Sequence, residues 1–159
     1  MKMDRINLKL LAVLQQEGRI TNQDLADRIG LSPSACLERV RKLEHEGALQ
    51  GYQARVDLDK VCPSITVITT VTLHDHRKEH MDQFEKAICA LPEVVECQQV
   101  SGVFDYMLRI VCRDMQRYQA LSDELIEAGS GIIELSSHVV MDSTKTFQGF
   151  PLNELLQTN

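Results

Sequence analysis

Two helix-start signals, each followed by a helix-stop signal, constrain the first part of this chain more than any other feature. Thr21 can cap a helix that Gly30 ends. Ser32 can cap a second helix, which has Pro33 at its first position and ends before Gly47. The tight turn left between these two helices is typical of a helix-turn-helix.

An amphipathic helix precedes this pair, because Asp4 can cap its start and Gly18 can end it. Its apolar side chains recur at helical spacing, at Ile6, Leu10, Val13 and Leu14. The third helix has a similar stripe of Cys36, Val40 and Leu43. We therefore expect a three-helix domain over residues 1–47, followed by a linker over 48–63 that contains a strand at 49–56.

The apolar pattern changes to a period of two at Ser64, which is typical of strands. The expected strands are 64–73, 94–101, 106–112 and a last one in which Ile133, Leu135, Val139 and Met141 alternate with polar residues. The expected helices carry Phe84, Ala87, Ile88 and Leu91, then Tyr118, Leu121, Ser122 and Leu125, the second helix being closed by Gly129-Ser130-Gly131. The order β-α-β-β-α-β predicts a ferredoxin-like domain over 64–159, with its core in 64–142 and a C-terminal tail. The fold class is therefore α+β.

A domain of this kind covers one face of its sheet with two helices and leaves the other face bare. We expect valine, cysteine and isoleucine side chains on the bare face. An exposed apolar face of this kind needs a partner. The sequence therefore predicts self-association.

Charge and composition limit the possible partners. The net charge of −6 gives no support for binding a polyanion, although the first 60 residues carry ten Lys/Arg against nine Asp/Glu. No apolar stretch is long enough to span a membrane, so we expect no membrane partner. Five cysteines without a C-x-x-C pair predict a reduced, cytoplasmic protein, in which Cys62 is the best candidate for oxidation.

Three histidines form a cluster that could hold a metal, namely His74, His76 and His80. They could equally be solvated at a strand end and helix start, and we favour this interpretation. We expect neither a metal nor a cofactor. No phosphate-cradling glycine loop, paired catalytic carboxylates or nucleophile–base pair is recognisable, so we do not expect an enzyme.

The third helix has short and polar side chains in its first turns, as a helix needs in order to approach base edges in the major groove. The candidate DNA contacts on the second and third helices are Thr21, Asn22, Ser32, Ser34, Ala35, Glu38, Arg39, Arg41 and Lys42. Thr21 and Asn22 could donate to phosphates, and Arg39 and Lys42 could clamp the backbone or read guanine. Alternatively, the charges only solvate a three-helix module, since Glu38 can pair with Lys42 along the helix.

The segment RITNQDLADRIGLSPSACLERVRKLEHEG, residues 19–47, closely resembles the Lrp/AsnC family of "feast/famine" transcription regulators. The later SGVFDYML, residues 101–108, is similar to the glycine-x-x-aspartate-tyrosine loop of that family. The resemblance implies that the helix from Ser32 reads DNA and that the strand at 49–56 pairs with its twin in a dimer. It also implies that dimers assemble further, often to octamers.

The resemblance further implies an amino-acid effector between dimers, near the glycine loop. The residues assigned to this site are Gly102, Val103, Phe104, Asp105 and Tyr106, with Ser136 and Ser137 of the last strand approaching from a neighbouring subunit. From the residues alone, Gly102 and Asp105 could bind a carboxylate and an ammonium group, or could simply turn and cap a hairpin. Val103 stands where the family often has a polar residue, which favours a hydrophobic amino acid such as leucine or methionine, or an empty pocket.

We therefore expect a cytoplasmic, nucleoid-associated regulator of transcription whose amino-acid effector changes its assembly. Its expected partners are double-stranded DNA, the effector and further copies of the chain. The alternatives are a metabolite-sensing assembly module without DNA activity and a small ferredoxin-like enzyme.

Overall fold

The computed structural model describes residues 3–127 and 131–156, which pack into two units. The first unit contains the residues up to Arg55 together with those from Lys145 on, and the second runs from Val56 to Thr144. The expected tail of the second domain therefore packs with the N-terminal helices instead. Gly129 and Ser130, expected to close a helix, lie outside the described residues.

The helices of the N-terminal segment are α1 (Arg5–Gln16), α2 (Asn22–Ile29) and α3 (Pro33–His45). The expected N-caps are confirmed, because each cap side chain accepts a bond from the N–H three residues further on: Asp4, Thr21 and Ser32. Gly30 has a φ of 78°, the left-handed conformation that ends α2 and lets α3 begin three residues later.

The core of this three-helix segment is aliphatic. Both expected stripes point into it, and Leu11, which the expected stripe of α1 omits, is also buried. The buried side chains are Leu10, Leu11, Leu14, Leu25, Ala26, Cys36, Val40 and Leu43.

Residues 49–56, expected to form a strand, have no regular secondary structure in the single chain. A strand needs a second strand to bond to, and no described segment of this chain supplies one there. A short 3₁₀ turn, Leu58–Lys60, follows. Pairing of residues 49–56 with a twin subunit stays a prediction.

The second unit has the expected order β-α-β-β-α-β. Its elements are β1 (Ile65–Leu73), α4 (Lys78–Cys89), β2 (Val94–Gln99), β3 (Tyr106–Cys112), α5 (Met115–Glu127) and β4 (Ile132–Val139). The strands form one antiparallel sheet in the order β2-β3-β1-β4. None of the described helices is long and apolar enough to cross a membrane.

Both long helices of this unit cover the same face of the sheet. The buried core between helices and sheet contains Val67, Val71, Leu73, Phe84, Ile88, Tyr106, Leu108, Ile110, Cys112, Tyr118, Leu121 and Leu125. The fully buried Thr69 lies on the same face, in register with Leu108 of β3.

The opposite face of the sheet, called the open face below, is not covered by α4 or α5. Its residues alternate along each strand with those that face the core. They include Thr66, Ile68, Thr70, Met107, Arg109 and Val111. The expected valine and isoleucine are present there, but the expected cysteines are not. Cys112 is buried under the helices, and Cys97 pairs in register with the buried Leu108, so both lie on the helix side.

A bulge interrupts the pairing of β1 with β4. Leu73 is opposite Ile132 and Thr72 is opposite Glu134, so Ile133 is an extra residue. Ile132 and Leu135 pack against the core, whereas Ile133 is 62% exposed. The expectation that Ile133 and Leu135 lie on the same apolar face is therefore wrong, because a pattern of alternation cannot reveal an inserted residue.

Candidate functional site

The outward side of α3 carries a stripe of short and charged side chains. Ser34, Glu38, Arg41, Lys42 and His45 are all exposed, whereas the other side of the helix is buried in the core. Positions 34, 38, 41 and 45 follow the helical repeat, so these side chains form one continuous surface. Such a surface fits the major groove of a duplex.

The two helix starts are built from hydroxyl and amide side chains. The Ser32 Oγ accepts a bond from the Ala35 N–H at 3.3 Å and lies 3.2 Å from the Ser34 Oγ. The Asn22 Nδ2 donates to the Pro33 carbonyl at 2.9 Å, which fastens the start of α2 to that of α3. These side chains therefore define the turn between the helices, whatever else they contact.

Thr21 is similarly engaged, because its hydroxyl donates to the Asp24 Oδ2 at 2.6 Å. It remains exposed. Ala35 is half-buried and leaves little bulk on its side of α3.

The guanidinium of Arg39 connects α3 to residues of the first helix that are far away in sequence. Its Nη1 donates to the Asp4 Oδ2 at 2.7 Å and to the Asn7 Oδ1 at 2.9 Å. The Asn7 N–H and then the Arg39 guanidinium lower the pKa of the Asp4 carboxyl, so Asp4 is ionised at neutral pH. Arg39 thus connects α3 to α1, a contact between residues far apart in sequence that the spacing of charges did not reveal.

The loop between β2 and β3 combines one glycine with a very exposed apolar residue. Gly102 has a φ of 134°, a backbone angle that residues other than glycine rarely adopt. The side chain of Val103 next to it is 91% exposed. The Val100 N–H donates to the Asp105 carbonyl at 2.9 Å and closes the loop. Phe104 is half-buried.

The side chain of Asp105 has a partner on each oxygen. Its Oδ2 accepts from the Leu73 N–H at 2.8 Å, and its Oδ1 lies 2.7 Å from the His76 Nε2. The Leu73 N–H, followed by the His76 ring, lowers the pKa of the Asp105 carboxyl, so Asp105 is ionised at neutral pH. His76 is a member of the site that sequence reasoning missed, because 29 residues separate it from Asp105.

Tyr106 lies in the core and not at the loop surface, which corrects its expected place. It is 1% exposed, its ring packs 4.6 Å from that of Phe84, and its hydroxyl donates to the Glu85 Oε1 at 2.9 Å. Burial, followed by the bond to Glu85, raises its pKa. Its side chain supports the loop from below.

Ser136 and Ser137 are opposite Thr70 and Thr69 of β1, and therefore point to opposite faces of the sheet. Ser136 is on the open face. Ser137 is on the helix side, where its hydroxyl bonds to that of Tyr118, which also contacts Thr69. The two side chains therefore do not share a face of the sheet, and their approach to a ligand stays a prediction.

The histidines between the end of β1 and the first turn of α4 lie close to carboxylates. The His80 Nδ1 lies 2.8 Å from the Asp75 Oδ1, and Arg77 also pairs with Asp75. Within residues 3–127 and 131–156, no group of three or more His, Cys, Asp or Glu side chains is arranged to hold a metal ion.

The fold and these two surfaces define a class of protein with a helix-turn-helix domain and a separate ligand-binding αβ domain. Residues 3–50 match the winged helix-turn-helix DNA-binding family, and residues 66–150 match the Lrp/AsnC ligand binding domain. The chain therefore belongs to the Lrp/AsnC family of transcriptional regulators.

Relatives of known sequence and structure agree with this membership. The leucine-responsive regulatory protein of Escherichia coli strain K12 is 40% identical over 143 residues, which are 90% of this chain and 87% of the relative. An AsnC family transcriptional regulator from Agrobacterium tumefaciens has 34% identity and a TM-score of 0.88, over 97% of this chain and 100% of that one. A transcriptional regulator from Neisseria meningitidis in complex with L-methionine has 30% identity and a TM-score of 0.90, over 98% of this chain and 100% of that one.

Proposed function

We propose that this protein regulates transcription by placing α3 in the major groove of promoter DNA, under the control of a hydrophobic amino acid. The observation that carries the DNA half is the exposed stripe of α3, held rigidly from behind by the core and by the Arg39–Asp4 pair. Within the stripe, Ser34 and Glu38 would face base edges, and Arg41 and Lys42 would contact base edges or phosphates.

The remaining candidate DNA contacts have supporting roles in this proposal. Thr21, Asn22 and Ser32 stand at helix N-termini, where backbone N–H groups favour a phosphate. Ala35 allows close approach because it is small. Arg39 would act as a positioning residue, since its Nη1 is already bonded to Asp4 and Asn7.

We propose that the loop around Gly102 and Asp105 binds the amino acid, with leucine and methionine as the first candidates. The relative solved with L-methionine supports this class of ligand, and the exposed Val103 offers an apolar contact for its side chain. Backbone N–H groups near Gly102 suit a carboxylate, and Asp105 suits an ammonium group. Phe104 and Ser136 would border the site, and Tyr106 would support it.

We propose further that copies of the chain pair through the open face and residues 49–56 and that dimers assemble further, up to an octamer. The effector would change this assembly, which requires that it bind one assembly state more tightly than the other. The protein would then act in the cytoplasm on nucleoid DNA.

The DNA half is tested by fluorescence anisotropy with genomic promoter fragments at several salt concentrations. Lys42→Ala is expected to weaken binding and to lower the salt slope by about one if Lys42 contacts a phosphate, or to cost about 1–3 kcal/mol if it reads a base. Lys9→Ala removes the same charge from an exposed position of α1 and is the matched control. Equal effects of the two variants would reject this placement of α3.

The ligand half is tested by calorimetric titration of the protein with the twenty amino acids. Gly102→Val is expected to abolish binding of the preferred amino acid, because valine rarely adopts the φ found at this position. Binding of DNA should persist. Normal amino-acid binding by this variant would show that the loop is only a turn.

A further inference from the structure

Residues 145–156 belong to the same unit as the N-terminal helices, although they follow the second domain in the sequence. The side-chain amide of Gln15 on α1 contacts the backbone of Phe150 in both directions. The Phe150 N–H donates to the Gln15 Oε1 at 2.7 Å, and the Gln15 Nε2 donates to the Phe150 carbonyl at 3.4 Å. One side chain of α1 therefore holds this backbone at a defined place.

Gly149 allows this close approach. A Cβ atom at residue 149 would lie 3.1 Å from both the Cβ and the Oε1 of Gln15, which is tighter than ordinary contact. The φ of Gly149 is 113°, a backbone angle that residues other than glycine rarely adopt. A larger residue at this position is therefore strained in its backbone and crowds the side chain of Gln15 that holds the segment.

Arg55 fastens the same segment to the linker. Its Nη1 donates to the Gln148 Oε1 at 3.2 Å, and its Nη2 donates to the Thr146 Oγ1 at 3.1 Å. Arg55 is the last residue of the first unit before the chain enters the second, and Lys145 is the first residue after it returns. The outgoing and returning segments are thus tied to each other within the first unit.

The apolar part of this contact is small. Leu152, the first residue of the short helix α6 (Leu152–Leu155), is half-buried against the three-helix core. Phe147 and Phe150 pack edge to face at 4.9 Å but are 65% and 62% exposed. A cavity of about 780 Å³ remains beside them, lined by α1 and the linker. The described contact therefore consists mainly of polar bonds.

We propose that residues 145–152, called the strap below, are an interaction partner of α1 and a second connection through which the effector domain acts on α3. The strap begins six positions after the end of β4 at Val139. Six residues span at most about 20 Å when fully extended, at 3.3–3.6 Å each. Any movement that would take the end of β4 more than about 20 Å from Lys145 must therefore pull the strap away from α1.

Contacts of α1 link the strap to α3, the proposed DNA-reading helix. The strap is held by Gln15 near the end of α1, and Asp4 and Asn7 at the start of α1 hold Arg39 of α3. A pull on α1 thus bears on the helix that carries the exposed stripe. This coupling rests on the proposed function, whereas the docking of the strap does not.

Docking is tested by amide hydrogen exchange of the full chain, read at Phe150 by nuclear magnetic resonance. We expect its N–H to exchange at least tenfold more slowly than in an unstructured peptide. Gln15→Ala and Gly149→Val should remove this protection, and Gln16→Ala, an exposed neighbour on α1, should retain it. An unprotected Phe150 in the unaltered protein, or full protection in Gly149→Val, would overturn the proposal.

Coupling is tested by the affinity for promoter DNA with and without L-methionine and L-leucine. In Gly149→Val we expect the shift in DNA affinity caused by the amino acid to fall at least threefold, with amino-acid binding itself unchanged. A full shift in a variant whose Phe150 has lost protection would overturn the coupling. If the unaltered protein binds no amino acid, the proposed effector and the coupling are both wrong, while the exchange data still decide whether the strap docks.

Discussion

The hydroxyl of Tyr118 joins three elements of the effector domain. It contacts the hydroxyl of Thr69 on β1 at 2.9 Å and bonds to that of Ser137 on β4. Thr69 is fully buried, so its hydroxyl has no access to solvent. Because a buried polar group needs a partner, this contact fixes α5 over the sheet.

Tyr118→Phe should lower the free energy of unfolding by about 1–3 kcal/mol, because it leaves the hydroxyl of Thr69 buried without its partner. Thr69→Val added to Tyr118→Phe should recover part of this loss, since the orphaned hydroxyl is then removed. Urea denaturation of the two single variants and the double variant measures both effects. Strictly additive losses would contradict this assignment.

His76 occupies the oxygen of Asp105 that the ammonium group of an amino acid would need. Its side chain is 71% exposed and is free to move away, whereas the other oxygen is held by the backbone of β1. We infer that His76 competes with the proposed ligand for Asp105.

His76→Ala should therefore lower the dissociation constant for L-methionine or L-leucine by about three- to tenfold, as expected from the loss of a competing exposed contact of about 1 kcal/mol. Calorimetric titration measures this change. His74→Ala is the control, because His74 is a similarly exposed histidine of the same loop. Weaker binding in His76→Ala would instead make His76 a direct contact of the ligand.

At the scale of elements, the angle between α2 and α3 depends on one left-handed residue, Gly30. No other atom lies within 4 Å of a Cβ placed there, so a substitution is opposed by the backbone alone. Gly30→Ala should lower the stability of the three-helix segment by about 1–2 kcal/mol. Gly18→Ala, where the φ is not in the left-handed region, should change it much less. Thermal unfolding followed by helical circular dichroism compares the two variants.

The elements that the sequence predicted correctly are those whose signals are local. The caps at Asp4, Thr21 and Ser32 act within three residues, and the core stripes need only the helical repeat. The contacts that it missed join distant segments, such as the 35-residue separation between Asp4 and Arg39. The strand at 49–56 has a strand-like pattern but lacks a pairing partner in the single chain, which no local signal can supply.

The directions of the proposed ligand residues were also beyond prediction from local pattern. The expectation placed Ser136 and Ser137 at one ligand, although adjacent residues of a strand face opposite sides. Tyr106 directly follows the loop, but the register of β3 turns its ring into the core. Each of these outcomes depends on sheet register, which is set by packing of the whole domain.

At the scale of the whole molecule, the open face is the surface that we expect to hold copies together. Ile68 and Met107 are half-buried on it in a single chain. Ile68→Glu should shift the mass measured by sedimentation velocity toward that of a monomer, because it places a charge in an apolar contact. Gln116→Glu, on the exposed surface of α5, adds the same charge elsewhere and should leave the mass unchanged.

Because the returning strap completes the N-terminal unit, the order of synthesis acquires a consequence. A nascent chain that has just left the ribosome up to Thr144 already contains α1, α2 and α3 together with the whole effector domain, but the side-chain amide of Gln15 still has no backbone to hold. The helices that we propose read DNA therefore gain their contact with the strap only after the second unit has been made. Translation that stops before residue 145 yields molecules with both domains but without the contact between Gln15 and Phe150.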